Sequence, residues 1–196
     1  QFNELLAHYG TAVACHYMQA VIDYAERLAR AAIAELPDGE FTFEDWIDDD
    51  GIDRGKPIRL RCTVAKEGNG MRVSWDGTSD QVKGAINCTL SFTKAVSYAA
   101  VRSVLGNDIP CNEGLFRTIE VTAPEGSIAN MVLPGACAAR GLTGFRMGDC
   151  VFGALAMMLP DRVFAASDGG NTGISIGGYD DQRNPFIFVD FACGSW

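Results

Sequence analysis

Apolar residues near the start of the chain recur every three or four positions, which predicts an amphipathic helix from about residue 3 to residue 36. Gly10 and Thr11 could divide this helix, with Thr11 as the N-cap of a longer second part. The sequence Pro37-Asp38-Gly39 ends the helical pattern. We therefore predict an N-terminal helical segment at residues 1–36 and a second part at residues 37–196.

Beyond residue 37 the pattern changes to an alternation of apolar and polar positions, which is typical of half-buried strands. The sequence Glu67-Gly68-Asn69-Gly70 is typical of a hairpin turn. Two stretches, residues 167–171 and 177–181, are predicted as glycine-rich loops. The pattern predicts an α+β fold with a mixed or antiparallel sheet, packed helices and a long N-terminal helix. The predicted strands are residues 40–47, 57–65, 71–75, 116–121 and 186–191, the predicted helices are residues 91–105 and 148–159, and residues 134–140 are predicted as extended.

A polar loop, residues 76–87, joins the third strand to the next helix. Asp76-Gly77 interrupts the strand, because Gly77 tolerates a positive φ. The helix that follows could be capped by Thr89 or Ser91, and its free N–H groups would favour an anionic or carbonyl group nearby. The alternative is a plain surface turn. The polar side chains of the loop are Asp76, Thr78, Ser79, Asp80, Gln81 and Asn87.

Other polar residues are candidates for chemistry. The acidic run Asp48-Asp49-Asp50 could bind a hard cation or form a solvated acidic turn. His8 and His16 lie two helical turns apart and could be ligands, proton carriers or ordinary helical residues. Further candidates for a general base or a metal contact are Asp149, Asp168 and Asp190, and candidates for holding a carboxylate or phosphate are Arg140 and Arg146.

The amino-acid composition excludes some classes of binding partner and indicates the cellular location. The 196 residues are 47% hydrophobic and carry a formal net charge of -9, which argues against nucleic acid and anionic membranes as partners. The seven cysteines are scattered and odd in number, which favours reduced, buried thiols and a cytoplasmic location over a disulfide scaffold. They do not cluster as zinc ligands do. Both ends of the chain read as interrupted, so we expect a piece of a longer subunit.

Five stretches, in one order along nearly the whole chain, resemble the hydantoinase B/oxoprolinase family. The polar loop belongs to one of them, W-D-G-T-S-D-Q-V-K-G-A-I-N. Several long patterns in one order are more specific than any single motif. The matching stretches are residues 35–51, 75–87, 108–127, 165–170 and 193–196.

The resemblance implies an A-type partner subunit that uses ATP and Mg²⁺ to phosphorylate a small-molecule substrate. The B-type subunit, within a hetero-oligomer, then completes ring hydrolysis or carboxylation. The family includes N-methylhydantoinase and 5-oxoprolinase B components and subunits of acetone and acetophenone carboxylases. The His/Asp metal site of the carboxylase relatives would lie upstream of this chain, so no metal ligand is assigned here.

We therefore predict part of an ATP-dependent B-type subunit that hydrolyses the ring C–N bond of a hydantoin or of 5-oxoproline. Asp76 and Asp80 are the predicted catalytic residues, which orient water or a substrate N–H. One alternative is ATP-dependent carboxylation of a ketone. Another is a non-catalytic module that docks the A component through the first helix and residues 186–191. The predicted substrate-binding residues are Gly77, Thr78, Gln81, Asn87, Asn112 and Arg140.

Overall fold

The computed structural model describes residues 1–167 and 169–193, and it confirms the predicted α+β fold with a mixed sheet. The helices are α1 (Phe2–Tyr9), α2 (Thr11–Ala34), α3 (Leu90–Val104), α4 (Glu113–Phe116) and α5 (Arg140–Met158). The strands are β1 (Gly39–Ile47), β2 (Ile58–Glu67), β3 (Gly70–Ser74), β4 (Ile119–Thr122), β5 (Asn171–Tyr179) and β6 (Pro185–Cys193).

The main sheet has the strand order β1-β2-β3-β4. The first three strands are antiparallel neighbours, and β4 runs parallel to β3. The pairing of β2 with β3 extends only from Thr63 to Glu67, so the first half of β2 has an edge that β3 does not cover. β5 and β6 form a separate antiparallel pair.

The core lies between the sheet and helices α3 and α5. Side chains of β2 alternate between buried and more exposed positions, as the sequence pattern predicts. Helix α5 approaches the sheet closely at Gly153, where a Cβ atom would lie 2.5 Å from the ring of Phe43. Trp75 follows β3, is fully buried, and donates from its indole nitrogen to Ser97 Oγ at 3.2 Å. This residue therefore fixes the start of the polar loop against α3.

The two halves of α2 differ in their surroundings. Its second half buries Ala25, Ala29 and Ile33. Helix α4 packs against the middle of α2 at Gly114, where a Cβ atom would lie 1.9 Å from the carbonyl oxygen of Ile22. Among residues 1–167 and 169–193, no helix combines the length and the apolar character needed to cross a lipid bilayer.

Two helix starts differ from prediction, while one is confirmed. Gly10, not Thr11, is the N-cap of α2, and it has a φ of 76° and no side-chain cap. Helix α5 begins at Arg140, whereas the sequence pattern predicts extended backbone over residues 134–140 and a helix only from residue 148. Glycines weaken the helical pattern there, but burial of Thr143 and Met147 stabilises these turns. Of the two predicted caps of α3, Thr89 is the one used, because its Oγ1 accepts the N–H of Phe92 at 3.3 Å.

Two strand predictions are also wrong in detail. Phe116 belongs to α4, so β4 begins only at Ile119. The glycine-rich residues 177–178 lie inside β5, where they pair with β6. A Cβ atom at Gly178 would lie 3.1 Å from the Phe186 ring, so the missing side chain makes room for that ring.

The close contact of α4 with α2 predicts a specific sensitivity at Gly114. The variant Gly114→Ala places a methyl group against the backbone of α2, so we expect the free energy of unfolding to fall by about 1–3 kcal/mol. Gly106→Ala is the matched control, because a Cβ atom there meets nothing within 4 Å. We expect it to change stability by less than about 0.5 kcal/mol. Chemical denaturation followed by circular dichroism measures both, and equal stabilities would contradict this role of Gly114.

Candidate functional site

The polar loop runs beside the uncovered half of β2. Ser79 donates its N–H to the carbonyl of Arg59 at 2.9 Å, and Ser79 Oγ accepts the N–H of Arg59 at 2.9 Å. Thr78 Oγ1 accepts the N–H of Arg61 at 3.0 Å and donates to its carbonyl at 3.1 Å. Backbone and hydroxyl groups of the loop therefore take the place of a strand neighbour for this part of β2.

Two arginines of β2 hold the turn at the start of the loop. Arg59 donates from Nε to the carbonyl of Gly77 at 2.9 Å, and Arg61 donates from Nη1 to the carbonyl of Asp76 at 3.0 Å. Gly77 has a φ of 85°, as its place in the turn predicts. A Cβ atom at Gly77 would also lie 3.1 Å from Arg61 Cδ, so conformation and space both favour glycine here.

Asn87 holds the far end of the loop from inside. Its side chain is fully buried, and Oδ1 accepts the N–H of Val82 at 2.7 Å. Its Nδ2 lies 2.8 Å from the carbonyl oxygen of Val82, 3.0 Å from that of Gly84 and 2.8 Å from that of Ala136. The Asn87 amide therefore closes the loop on itself and ties it to the segment before α5.

Asp50 holds the same part of the loop from outside. Its Oδ2 accepts the N–H of Gly84 at 2.9 Å, and its Oδ1 accepts those of Ile52 and Asp53 at 2.9 Å and 2.6 Å. These backbone donors, that of Asp53 foremost, lower the pKa of the Asp50 carboxyl below its usual value. The stabilisation is present above the unfolded-state pKa and is lost as the pH falls through the lower folded-state value.

Of the two interpretations of the acidic run, the contacts favour a turn. Asp49 accepts the N–H groups of Gly51 and Gly55 at 2.9 Å and 3.1 Å, much as Asp50 accepts those around it. Within the described residues, no group of three or more His, Cys, Asp or Glu side chains could hold a metal ion.

A groove of about 540 Å³ lies between the loop and the start of β2. Two lysines line the groove, and Asp53 lies between them, with Oδ2 at 3.0 Å from Lys83 Nζ and 3.3 Å from Lys56 Nζ. Carboxylates, ammonium groups and amides all line this groove, so it can both donate hydrogen bonds to a polar ligand and accept them. The residues that line it include Asp50, Asp53, Asp80, Gln81 and Lys83.

Asp76 and Asp80 differ from the other polar residues of the loop. Both are exposed, and neither carboxylate has a hydrogen bond or an ion pair with any residue of 1–167 or 169–193. By contrast, Thr78 is bound to β2, and Gln81 Oε1 accepts the N–H of Val132 at 2.7 Å. The two carboxylates are therefore the groups that the loop leaves open to a ligand.

Asn112 and Arg140 do not belong to the loop. Asn112 caps α4, where its Oδ1 accepts the N–H of Gly114 at 2.8 Å. Arg140 begins α5, and its guanidinium lies 5.6 Å from the ring centroid of Phe92 and donates to the carbonyl of Cys137 at 3.1 Å. The fold thus brings together Asp76, Gly77, Thr78, Asp80 and Gln81, with Asn87 beneath them.

Arg146 and Asp149, both candidates from the sequence, form a second polar cluster near the end of β1 with Asp45 and Ser167, which the sequence pattern did not indicate. Arg146 Nη2 lies 3.2 Å from Asp45 Oδ2, and Arg146 Nη1 lies 3.4 Å from Asp149 Oδ2. Asp149 also accepts the hydroxyl of Ser167 at 3.0 Å. The three-residue spacing of Arg146 and Asp149 on one helix was the available signal. Asp168 and residues 194–196 lie outside the described residues, and Asp190 lies in β6.

No Cys or His side chain is among the described residues that line the groove. Cys62, Cys88 and Cys150 are buried, and burial raises the pKa of all three, to about 12 for Cys88 and Cys150. Such thiols stay protonated at neutral pH and pack as small apolar groups. His8 and His16 are exposed on α1 and α2.

The role of Asn87 predicts a large effect of its removal on stability. Asn87→Ala leaves the Val82 N–H and the carbonyl groups of Val82 and Gly84 without this partner, so we expect the free energy of unfolding to fall by about 2–4 kcal/mol. Asn107→Ala, at an exposed position whose side chain makes no hydrogen bond with the described residues, serves as control. Thermal denaturation compares the two, and a stable Asn87→Ala variant would show that the loop closes without this amide.

Three comparisons relate this architecture to known proteins. A protein from Pseudomonas sp. (strain NS671), assigned as the B-type subunit of a D-/L-hydantoinase, is 31% identical over 207 residues, which is 100% of this chain and 34% of that protein. The crystal structure of an ATP-dependent caprolactamase from Pseudomonas jessenii superposes with a TM-score of 0.81 at 25% identity, over 98% of this chain and 32% of the other. An acetone carboxylase structure shares the fold, with a TM-score of 0.78 at 13% identity over 96% of this chain and 27% of the other.

The chain therefore spans about a third of the length of such relatives. The match to the family covers residues 1–196, which includes the loop, the groove and the helices around them. The chain belongs to the hydantoinase B/oxoprolinase family.

Proposed function

We propose that this chain is part of the B-type subunit of an ATP-dependent enzyme that hydrolyses the C–N bond of a cyclic amide. The observation that carries the proposal is the superposition on an ATP-dependent caprolactamase over 98% of the chain. The relative assigned to a D-/L-hydantoinase points to the same type of bond. The cyclic amide would be a hydantoin, 5-oxoproline or a related lactam.

The geometry of the groove supports this chemistry. Asp80 lines the groove, Asp76 lies on the same loop, and both carboxylates are free to accept a proton. In the proposed step, one carboxylate takes a proton from water as the water oxygen attacks the ring carbonyl carbon. The ring C–N bond then breaks, and the protonated carboxyl returns this proton to the nitrogen as it leaves. Gln81 and Lys83 would hold the polar edges of the substrate.

The energy source would lie in a partner. An A-type subunit would bind ATP and Mg²⁺ and phosphorylate the carbonyl oxygen of the substrate, which makes the amide carbon easier to attack. After the C–N bond breaks, a second water would hydrolyse the resulting acyl phosphate to the ring-opened acid and inorganic phosphate. The hydantoinase relative is named as one subunit of its enzyme, which supports a hetero-oligomer. The proposal assigns no cofactor to the described residues of this chain.

Substrate-stimulated ATP hydrolysis by the reconstituted complex tests the reaction. The complete B-type subunit and its partner are assayed with hydantoin, 5-oxoproline, caprolactam, and acetone plus bicarbonate. We expect a cyclic amide to raise the rate of ATP hydrolysis and to yield the ring-opened acid, measured by mass spectrometry. Stimulation by the ketone and bicarbonate alone would overturn the hydrolase and favour a carboxylase.

The roles of the two carboxylates are tested in the same complex. Asp76→Asn and Asp80→Asn each keep the size of the side chain and remove the base, so we expect turnover to fall by about 100-fold or more for the residue that acts. Glu125→Gln is the control, since Glu125 is exposed and has no ion pair with the described residues. Full turnover in both aspartate variants would exclude a base on this loop.

A second candidate function is docking of the partner subunit, which the exposed surface of α1 and α2 favours. An apolar groove of about 680 Å³ runs along the two helices. Several of its large side chains are half exposed or more, among them Tyr9 at 58% and Tyr17 at 65%. A continuous apolar patch of this kind is typical of an interaction surface. The residues that line it include Leu5, Tyr9, Tyr17, Met18 and Val21.

A charge placed in this groove tests the docking function. Val21→Glu puts a carboxylate among apolar side chains, so we expect the partner to dissociate and co-purification with a tagged A-type subunit to fall by about tenfold or more. Ala12→Glu is the control, because helical spacing places residue 12 on the opposite face of α2. Equal recovery of both variants would contradict docking here. Loss of docking together with full activity of both aspartate variants would favour a non-catalytic module.

A further inference from the structure

One carboxylate outside the polar loop decides where part of the loop lies. Asp50 precedes Gly84 by 34 residues, yet its Oδ2 accepts the Gly84 N–H at 2.9 Å. Its other oxygen is bound by the N–H groups of Ile52 and Asp53. Three backbone donors therefore bind the two oxygens of this carboxylate, which serves here to hold backbone in place.

At this contact there is no room for a side chain on Gly84 of the loop. A Cβ atom at Gly84 would lie 2.2 Å from the carbonyl oxygen of Asp50 and 2.8 Å from its Cβ. Asp50 and Gly84 are both buried, with Asp50 only 9% exposed. The two backbone segments are therefore packed against each other, and the hydrogen bond fixes their register.

This contact determines one wall of the groove. Lys83 directly precedes Gly84, lines the groove and pairs with Asp53 at 3.0 Å. Asp53 is itself placed by Asp50, through the hydrogen bond between its N–H and Asp50 Oδ1. The ion pair therefore joins two residues whose backbones are held by the same carboxylate. Displacing Asp50 would move this pair relative to Asp80.

We propose that Asp50 is a positioning residue for the reaction in this groove. It holds Gly84 and Asp53 so that Lys83, which directly precedes Gly84, and Asp80 face one substrate from a fixed distance. This inference rests on the proposed function. It assigns to the acidic run a role that is neither a cation site nor a solvated turn without function.

The test uses Asp50→Asn and Gly84→Ala in the complete complex. The Asn side chain replaces one acceptor oxygen by an NH₂ donor, so one backbone N–H loses its partner. We expect at least tenfold faster hydrogen exchange of the Gly84 amide and an increase in KM of about tenfold, together with a lower kcat. Loss of folded enzyme lowers kcat alone and leaves KM unchanged, so KM separates positioning from general destabilisation. Asp48→Asn, an exposed neighbour without a hydrogen bond to the described residues, should leave exchange and KM unchanged.

The double variant provides the second measurement. Because Asp50→Asn and Gly84→Ala disturb one contact, their combined effect on KM should be smaller than the product of the single effects. Independent effects, or an unchanged KM in Asp50→Asn, would overturn the positioning role. Failure of the proposed function shows differently, as full turnover of both Asp76→Asn and Asp80→Asn.

Discussion

Buried side chains that bind backbone groups hold the polar loop, and the groove depends on this constraint. A connection of twelve residues beside a sheet carries many N–H and C=O groups, and each one that is buried without a partner costs about 1–3 kcal/mol. Asn87 from inside and Asp50 from outside satisfy these groups between Val82 and Gly84. Arginine side chains of β2 satisfy those at the turn. The loop is therefore a rigid support, although it contains no regular secondary structure over most of its length.

This constraint divides the polar side chains of the loop into two groups. The first group consists of hydroxyl and amide side chains, such as those of Thr78 and Asn87, which form hydrogen bonds with backbone groups and so stabilise the fold. The second group consists of the carboxylates of Asp76 and Asp80, which form no hydrogen bond or ion pair with the described residues. A loop that satisfies its own neutral polar groups and leaves two carboxylates exposed is suited to proton transfer and to binding of cationic or N–H groups. That chemistry suits hydrolysis of an amide more directly than redox or nucleophilic thiol reactions.

Two exposed apolar surfaces lie outside the groove. The α1–α2 groove exposes tyrosines and aliphatic side chains, and the β5–β6 pair exposes Ile187 at 80% and Phe188 at 52%. A two-stranded pair is marginally stable alone, so apolar side chains on both of its faces favour a cover from elsewhere in the assembly. Relatives about three times as long as this chain provide the context for such covers.

The sequence by itself determined the first long helix, strands β1 to β3 with their hairpin, the body of α3 and the family, because each of these depends on local spacing or on long motifs in a fixed order. It also located the loop that carries the open carboxylates. Only the tertiary structure decided which polar residues remain free, since Asn87 resembles a ligand residue until its buried carbonyl partners are known. The tertiary structure likewise decided that the glycines of β5 lie in a strand, because the Phe186 ring of β6 occupies the space beside Gly178. Asp50 is the clearest case. A run of three aspartates predicts a negatively charged segment. Only the fold brings the N–H of Gly84, 34 residues away, within hydrogen-bond distance of Asp50 Oδ2.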